Sequence, residues 1–129
     1  MRKENLEAMS NKELEEYAQA LGIPVKAVRQ AKNKAEYIWH RWNQTVTVKT
    51  LGLELEIPAK LLRDKATIEA LSNPLLNDTQ ADEIIQKLLG EKQYNELVKA
   101  CTDEDGITDV VALGVAFARI LSSEKLKNL

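Results

Sequence analysis

Residues able to do covalent or acid–base chemistry are sparse in this 129-residue chain. One cysteine, Cys101, and one histidine, His40, stand far apart in sequence, in what read as different modules, so no nucleophile–base pair assembles from them. A single cysteine forms no internal disulfide and points to a reducing compartment, and a single histidine supplies no metal cluster. Adjacent carboxylates occur at Glu15-Glu16 and Asp82-Glu83, both on polar faces of expected helices, where they solvate the surface rather than form an acid/base dyad. The stretch Asp103-Glu104-Asp105-Gly106 invites a calcium loop. With Gly106 as the loop glycine, the first and last ligand positions become Cys101 and Ala112, which lack the oxygens the ion needs. A charged turn is the better reading. Glycine-rich phosphate loops, zinc spacings and His-Glu-x-x-His are absent from the sequence. The expectation is a non-enzymatic chain with no cofactor and no metal.

Composition narrows the class further. Eighteen Lys+Arg against twenty Asp+Glu give a net charge of −2, without the basic excess of a whole-protein nucleic-acid binder. Aromatics are 5%, so the core must come from Leu, Ile, Val and Ala, which favours helices. The longest apolar run, Val110 to Ala118, is too short for a bilayer span, which needs about twenty residues. Arg2-Lys3-Glu4-Asn5 opens without the apolar core of a secretory leader, so a cytoplasmic location in a bacterial host is expected.

Charge is unevenly placed. Residues 1–43 carry a net +2 and residues 44–129 a net −4, and the pattern also changes near Asn43-Gln44, where a module boundary is expected. In the first module Ser10-Asn11-Lys12-Glu13 has the form of a capping box. Leu14, Tyr17, Ala18 and Leu21 then recur at helical spacing up to a stop at Gly22. Val25 to Arg29 suits one helical turn with Val25 and Val28 inward. Asn33 to Trp42 suits a helix whose stripe is Ala35, Ile38, Trp39 and Trp42, with both tryptophans packing rather than displayed.

The run Asn11-Lys12-Glu13-Leu14-Glu15-Glu16-Tyr17-Ala18-Gln19-Ala20-Leu21-Gly22-Ile23, followed after a spacer by Lys34-Ala35-Glu36-Tyr37-Ile38, resembles helix–extended-loop–helix modules of the SAP and LEM type. The resemblance implies DNA contact through phosphates by Lys26, Arg29, Lys32 and Lys34, set against the plainer reading of a solvated helical face.

From residue 44 the period changes to two. Val46, Val48, Leu53, Leu55 and Ile57 alternate with polar residues around Gly52, which predicts a β-hairpin with Lys49 opposite Glu54 or across from Glu56. An isolated hairpin is barely stable, so its apolar face must cover the following helices or complete a sheet with another copy. Pro58 ends the second strand, and Leu61, Leu62, Ile68 and Leu71 mark a helical region broken at Ser72-Asn73-Pro74. Asp78 or Thr79 is expected to cap a helix ending at Gly90, and a further helix is expected from Glu91 to Cys101.

Thr108 is expected to cap the last helix. From Val110 to Leu121 only Arg119 is charged, a pattern predicting burial on every side. Either this helix is central to the domain or part of it is left for a partner chain. Leu113, Phe117, Ile120 and Leu121 are the candidate partner-binding residues, with the hairpin edge as a second surface.

Residues 44 to about 125 resemble the small tail assembly chaperones of long-tailed phages and prophages. The carrying features are the hairpin ending Leu53-Glu54-Leu55-Glu56-Ile57-Pro58, the helix through Ile68-Glu69-Ala70-Leu71, and Leu88-Leu89-Gly90-Glu91-Lys92-Gln93-Tyr94-Asn95-Glu96-Leu97 before an acidic-Gly turn and an apolar last helix. An N-terminal helix–loop–helix is not part of that family's usual pattern. The resemblance implies oligomerisation and binding of the tape measure protein. The expected architecture is mainly α with one β-hairpin: a helix–loop–helix module over 1–43, then a hairpin plus helical domain over 44–129.

Overall fold

The computed structural model describes residues 1–123. Its chain is mainly α, 63% helical, with one two-stranded antiparallel hairpin. Four short helices come first: α1 (Lys3–Ala8), α2 (Asn11–Ala20), α3 (Val25–Gln30) and α4 (Lys34–Trp42). The Glu13 N–H donates to Ser10 Oγ at 3.2 Å, and the Glu36 N–H donates to Asn33 Oδ1 at 3.1 Å, so both longer helices start on side-chain caps. α2 stops as its sequence directs. Gly22 takes φ 79°, its N–H donates to the Gln19 carbonyl, and the Ile23 N–H reaches back to Ala18, a Schellman closure. Leu6, Leu14, Ala18, Val28, Ala35 and Ile38 are buried where these helices meet. Trp39 and Trp42 are half-buried against them, with Trp42 6.5 Å from the Tyr17 ring. Val25 is only half-buried beside the fully buried Val28.

The hairpin pairs β1 (Thr45–Thr50) with β2 (Leu53–Pro58) in the register Thr47↔Glu56, Lys49↔Glu54. Lys49 Nζ lies 3.7 Å from Glu54 Oε1, an exposed cross-strand pair. Val46, Val48, Leu55 and Ile57 face the core. Leu51 (φ 51°) and Gly52 (φ 77°) form the two-residue turn, and positive φ at both positions matches a turn whose twist suits the strands.

After Pro58 the expected helical region is in two parts. A 3-10 turn over Ala59–Arg63 precedes α5 (Lys65–Leu71), because Asp64 turns out and caps α5 by accepting from the Thr67 N–H at 3.1 Å. The cap of the next helix is Asn77, not Asp78 or Thr79. Its Oδ1 accepts from the Gln80 N–H while Gln80 Oε1 accepts from the Asn77 N–H, a reciprocal box that neither of the other two residues makes. α6 (Asp78–Ala100) is two helical runs joined without a gap at Gly90, where φ 75° and ψ 165° break the helix. A backbone in that region is open essentially to glycine alone.

α7 (Val110–Leu121) is capped by Asp109, whose Oδ1 accepts from the Val111 and Ala112 N–H groups. Thr108 is engaged elsewhere: it bridges to Thr102, with the two hydroxyl oxygens 2.8 Å apart. β2 lies against α6 and β1 against α7, while α1 to α4 pack on one another. One buried cluster nevertheless runs from Leu6 to Ile120. Between the two groups of elements, Arg63 donates to the Leu21 carbonyl at 3.5 Å and Lys60 to Asn43 Oδ1 at 3.0 Å. Among the described residues, no helix is long and apolar enough to cross a membrane.

Candidate functional site

The titratable groups singled out by sequence do structural work. Cys101 is buried, and burial followed by the nearby Asp109 carboxylate pushes its thiol above the ordinary range, away from the reactive thiolate. His40 is exposed on α4, 3.5 Å from Glu36. Asp103 Oδ1 accepts from the Asp105 and Ile107 N–H groups, so this carboxylate holds its own turn together around Gly106. Of the acid pairs, Asp82 accepts from the Tyr94 phenol and from Gln86 Nε2, whereas Glu15 is bound by Arg29. Among the described residues no group of three His, Cys, Asp or Glu side chains converges as a metal site.

The four basic candidates do not form an unopposed cationic face. Arg29 grips Glu15 through two bonds, Nε to Oε1 at 3.0 Å and Nη2 to Oε2 at 3.3 Å. The hydrogen bond from Arg29 holds the Glu15 carboxyl below its usual range, and Lys34 adds to the effect. Lys26 and Lys32 are exposed and Lys34 is half-buried. Lys32 and Lys34 share an open groove with Glu7 and Asn11.

α7 gives a sharper arrangement. Ile120 is fully buried, and Leu113, Phe117 and Leu121 are half-buried against the core, so these four candidates occupy the inner face of the helix. The prediction of burial on every side fails, because β1 and α6 cover only that inner face. Residues 110, 111, 114, 115, 118 and 119 all point outward, two adjacent rows at i, i+4 spacing. Val110 is 74% exposed, Val111 73% and Val115 52%, with Ile107 also exposed just upstream. Sequence reasoning missed the three valines although a signal was present. Arg119, the one charge in the helix, stands on the row 111–115–119 and marks it as the outer one.

Two open grooves border this outer face. One lies between α7 and the outer edge of β1, lined by Thr47, Val48, Lys49, Val115, Ala118 and Arg119 together with Ser122 and Ser123. Its neighbour runs over the hairpin turn and shares Lys49, Val115 and Arg119. A smaller cleft of about 300 Å³ between α5 and α6 contains Glu83 and Lys87, and Lys87 Nζ is already held by Asp64 Oδ2 at 2.7 Å. The apolar rows of α7 and the adjoining β1 edge are the surfaces best suited to binding. Comparison of the chain with protein-family models, with curated proteins and with solved structures finds no match.

Proposed function

We propose that this protein is a non-enzymatic holding protein that binds an apolar helical client along α7, acting as a tail assembly chaperone of phage or prophage type whose client is the tape measure protein. The observation that carries this reading is the unpartnered valine face, Val110, Val111 and Val115, on a helix whose opposite side packs on the core. Exposed valines in adjacent helical rows offer non-directional, area-dependent binding, which suits holding a long apolar helix rather than one small ligand. Self-association is part of the same reading, as the resemblance implies.

The test is light scattering of an aggregation-prone helical segment of a tape measure protein, with and without this chain. Val111→Asp combined with Val115→Asp is expected to abolish the protection while leaving the circular dichroism spectrum unchanged, since both positions are largely exposed. A client held equally well by that variant overturns the reading. The rival reading, DNA contact through the basic loop, loses one of its four cations to Glu15. A salt-dependent mobility shift with DNA, absent for Lys26→Ala combined with Lys32→Ala, would favour it instead.

A further inference from the structure

The hairpin has two outer edges, and the fold treats them differently. Glu56 directs its backbone away from β1: its N–H donates to Gln93 Oε1 at 2.7 Å and its carbonyl accepts from Gln93 Nε2 at 2.8 Å. The Gln93 carboxamide thus stands in for a neighbouring strand. Two residues on, Pro58 has no N–H to offer. The β2 edge is blocked at two of its three outward positions, Glu56 and Pro58, with Glu54 left open.

β1 has no such closure. The Ala59 N–H donates to the Gln44 carbonyl, and antiparallel alternation from that bond and from Glu56 makes Val46 and Val48 the residues bonded to β2. Thr45, Thr47 and Lys49 therefore turn their N–H and C=O groups outward. Among the described residues none of these outward groups has a backbone partner. Thr47 and Lys49 line the groove shared with Val115, Ala118 and Arg119 of α7. An unpaired edge beside an apolar helix face is a template for strand addition.

We infer that the β1 edge is a self-association surface, taken by β1 of a second copy running antiparallel to give a four-stranded sheet across a two-fold axis. The inference deepens the reading above by locating its self-association, and it is carried by the strand's own sequence. Thr45-Val46-Thr47-Val48-Lys49 is nearly palindromic about Thr47, as an isologous contact requires. Pairing centred on Thr47 sets Val46 against Val48 on the buried side and Lys49 against Thr45 on the exposed side. The outward backbone groups of all three residues then find partners. Centring on Lys49 instead would set two like charges directly opposite. The incoming strand lies beside Val115 and Ala118, and Val110 and Val111, which do not line that groove, stay free for the client.

The test reads amide exchange by NMR together with sedimentation over a wide concentration range, on the full chain without client. The expected result is a dimer at high concentration in which the Thr45, Thr47 and Lys49 amides become protected as mass increases. Thr47→Pro removes one outward donor and none of the backbone bonds to β2, though it also loses the Thr47 hydroxyl bond to the Glu56 carboxylate, and it is expected to raise the dissociation constant at least ~10-fold. If that variant fails to fold, the exchange pattern of the unaltered chain decides alone. A strict monomer overturns the inference, as does a dimer whose three amides exchange as in the monomer. Protection that is independent of concentration assigns the edge to the chain's own residues, and protection seen only with an added extended acidic peptide assigns it to another partner; both overturn it. Client protection in light scattering is a separate readout, so loss of one does not count as loss of the other.

Discussion

The phenol of Tyr94 donates to Asp82 Oδ1 at 2.5 Å, joining a residue before the kink at Gly90 to one after it. Gln93, one residue earlier, reaches the other way to the Glu56 backbone and also donates to the Leu89 carbonyl at 2.8 Å. Neighbouring residues therefore fix the angle between the two halves of α6 and hold the hairpin against the bend. The hairpin edge and α7, on which binding is argued above, inherit their placement from this junction.

Tyr94→Phe removes the bond to a charged acceptor and leaves the ring's packing intact. The side chain is only partly buried and water competes for both groups, so the expected loss is about 1 kcal/mol, below what bonds to charged groups usually give. The Asp82 hydrogen bond first, then burial, pushes the phenol up from 10.0 to about 12. A group whose folded value is raised contributes its full stability below the unfolded value and loses it as pH climbs through the folded one. The wild type should therefore lose this contribution between pH 10 and about 12, and the variant should show a flatter alkaline limb in denaturant titrations.

Gly90→Ala tests the kink without a steric complication, because a Cβ built at Gly90 meets nothing within 4 Å. The cost is purely conformational: φ 75° with ψ 165° is hostile to any L side chain. We expect a loss of about 1–3 kcal/mol by urea denaturation. An unchanged midpoint would mean that α6 straightens at no cost, and that the junction does not set the hairpin's position.

Leu51→Asn should work in the opposite direction. Leu51 sits at φ 51° in the hairpin turn, outside the buried core, and bears the left-handed penalty. Asn followed by Gly52 is the pairing such turns favour, and a gain of about 1 kcal/mol in stability is expected from thermal or denaturant unfolding.

Legibility followed the range of the interaction. The helix stop at Gly22 and the hairpin are local, set by residues within a few positions, and the sequence pattern places them correctly; for Lys49 it left Glu54 and Glu56 both open, and the register selects Glu54. Caps were harder where several competent residues stood together: Asn77, Asp78 and Thr79 all suit an N-cap, and only Gln80's reciprocal bond selects Asn77. At 108–109, Thr108 is drawn off by Thr102, a partner six residues away, leaving Asp109 to cap α7. The binding face was the least legible. Apolar residues stand on every side of α7, so their presence alone does not say which rows the hairpin and α6 will cover; the lone Arg119 was the one charged mark.

Gln93→Ala is the prediction with the widest reach. It removes both bonds to Glu56 and the one to the Leu89 carbonyl, and at about 0.5–1.5 kcal/mol per bond, with water reclaiming part, the expected destabilisation is about 1–2 kcal/mol. It also opens the β2 edge at Glu56, leaving that N–H and C=O unpaired on a strand of alternating Leu, Glu, Leu, Glu and Ile. A sheet with both edges open extends without closing, whereas one open edge stops at a pair. Sedimentation should therefore resolve species larger than a dimer for this variant, and Gln93→Glu, which keeps an acceptor for the Glu56 N–H but cannot donate to its carbonyl, should fall between the two.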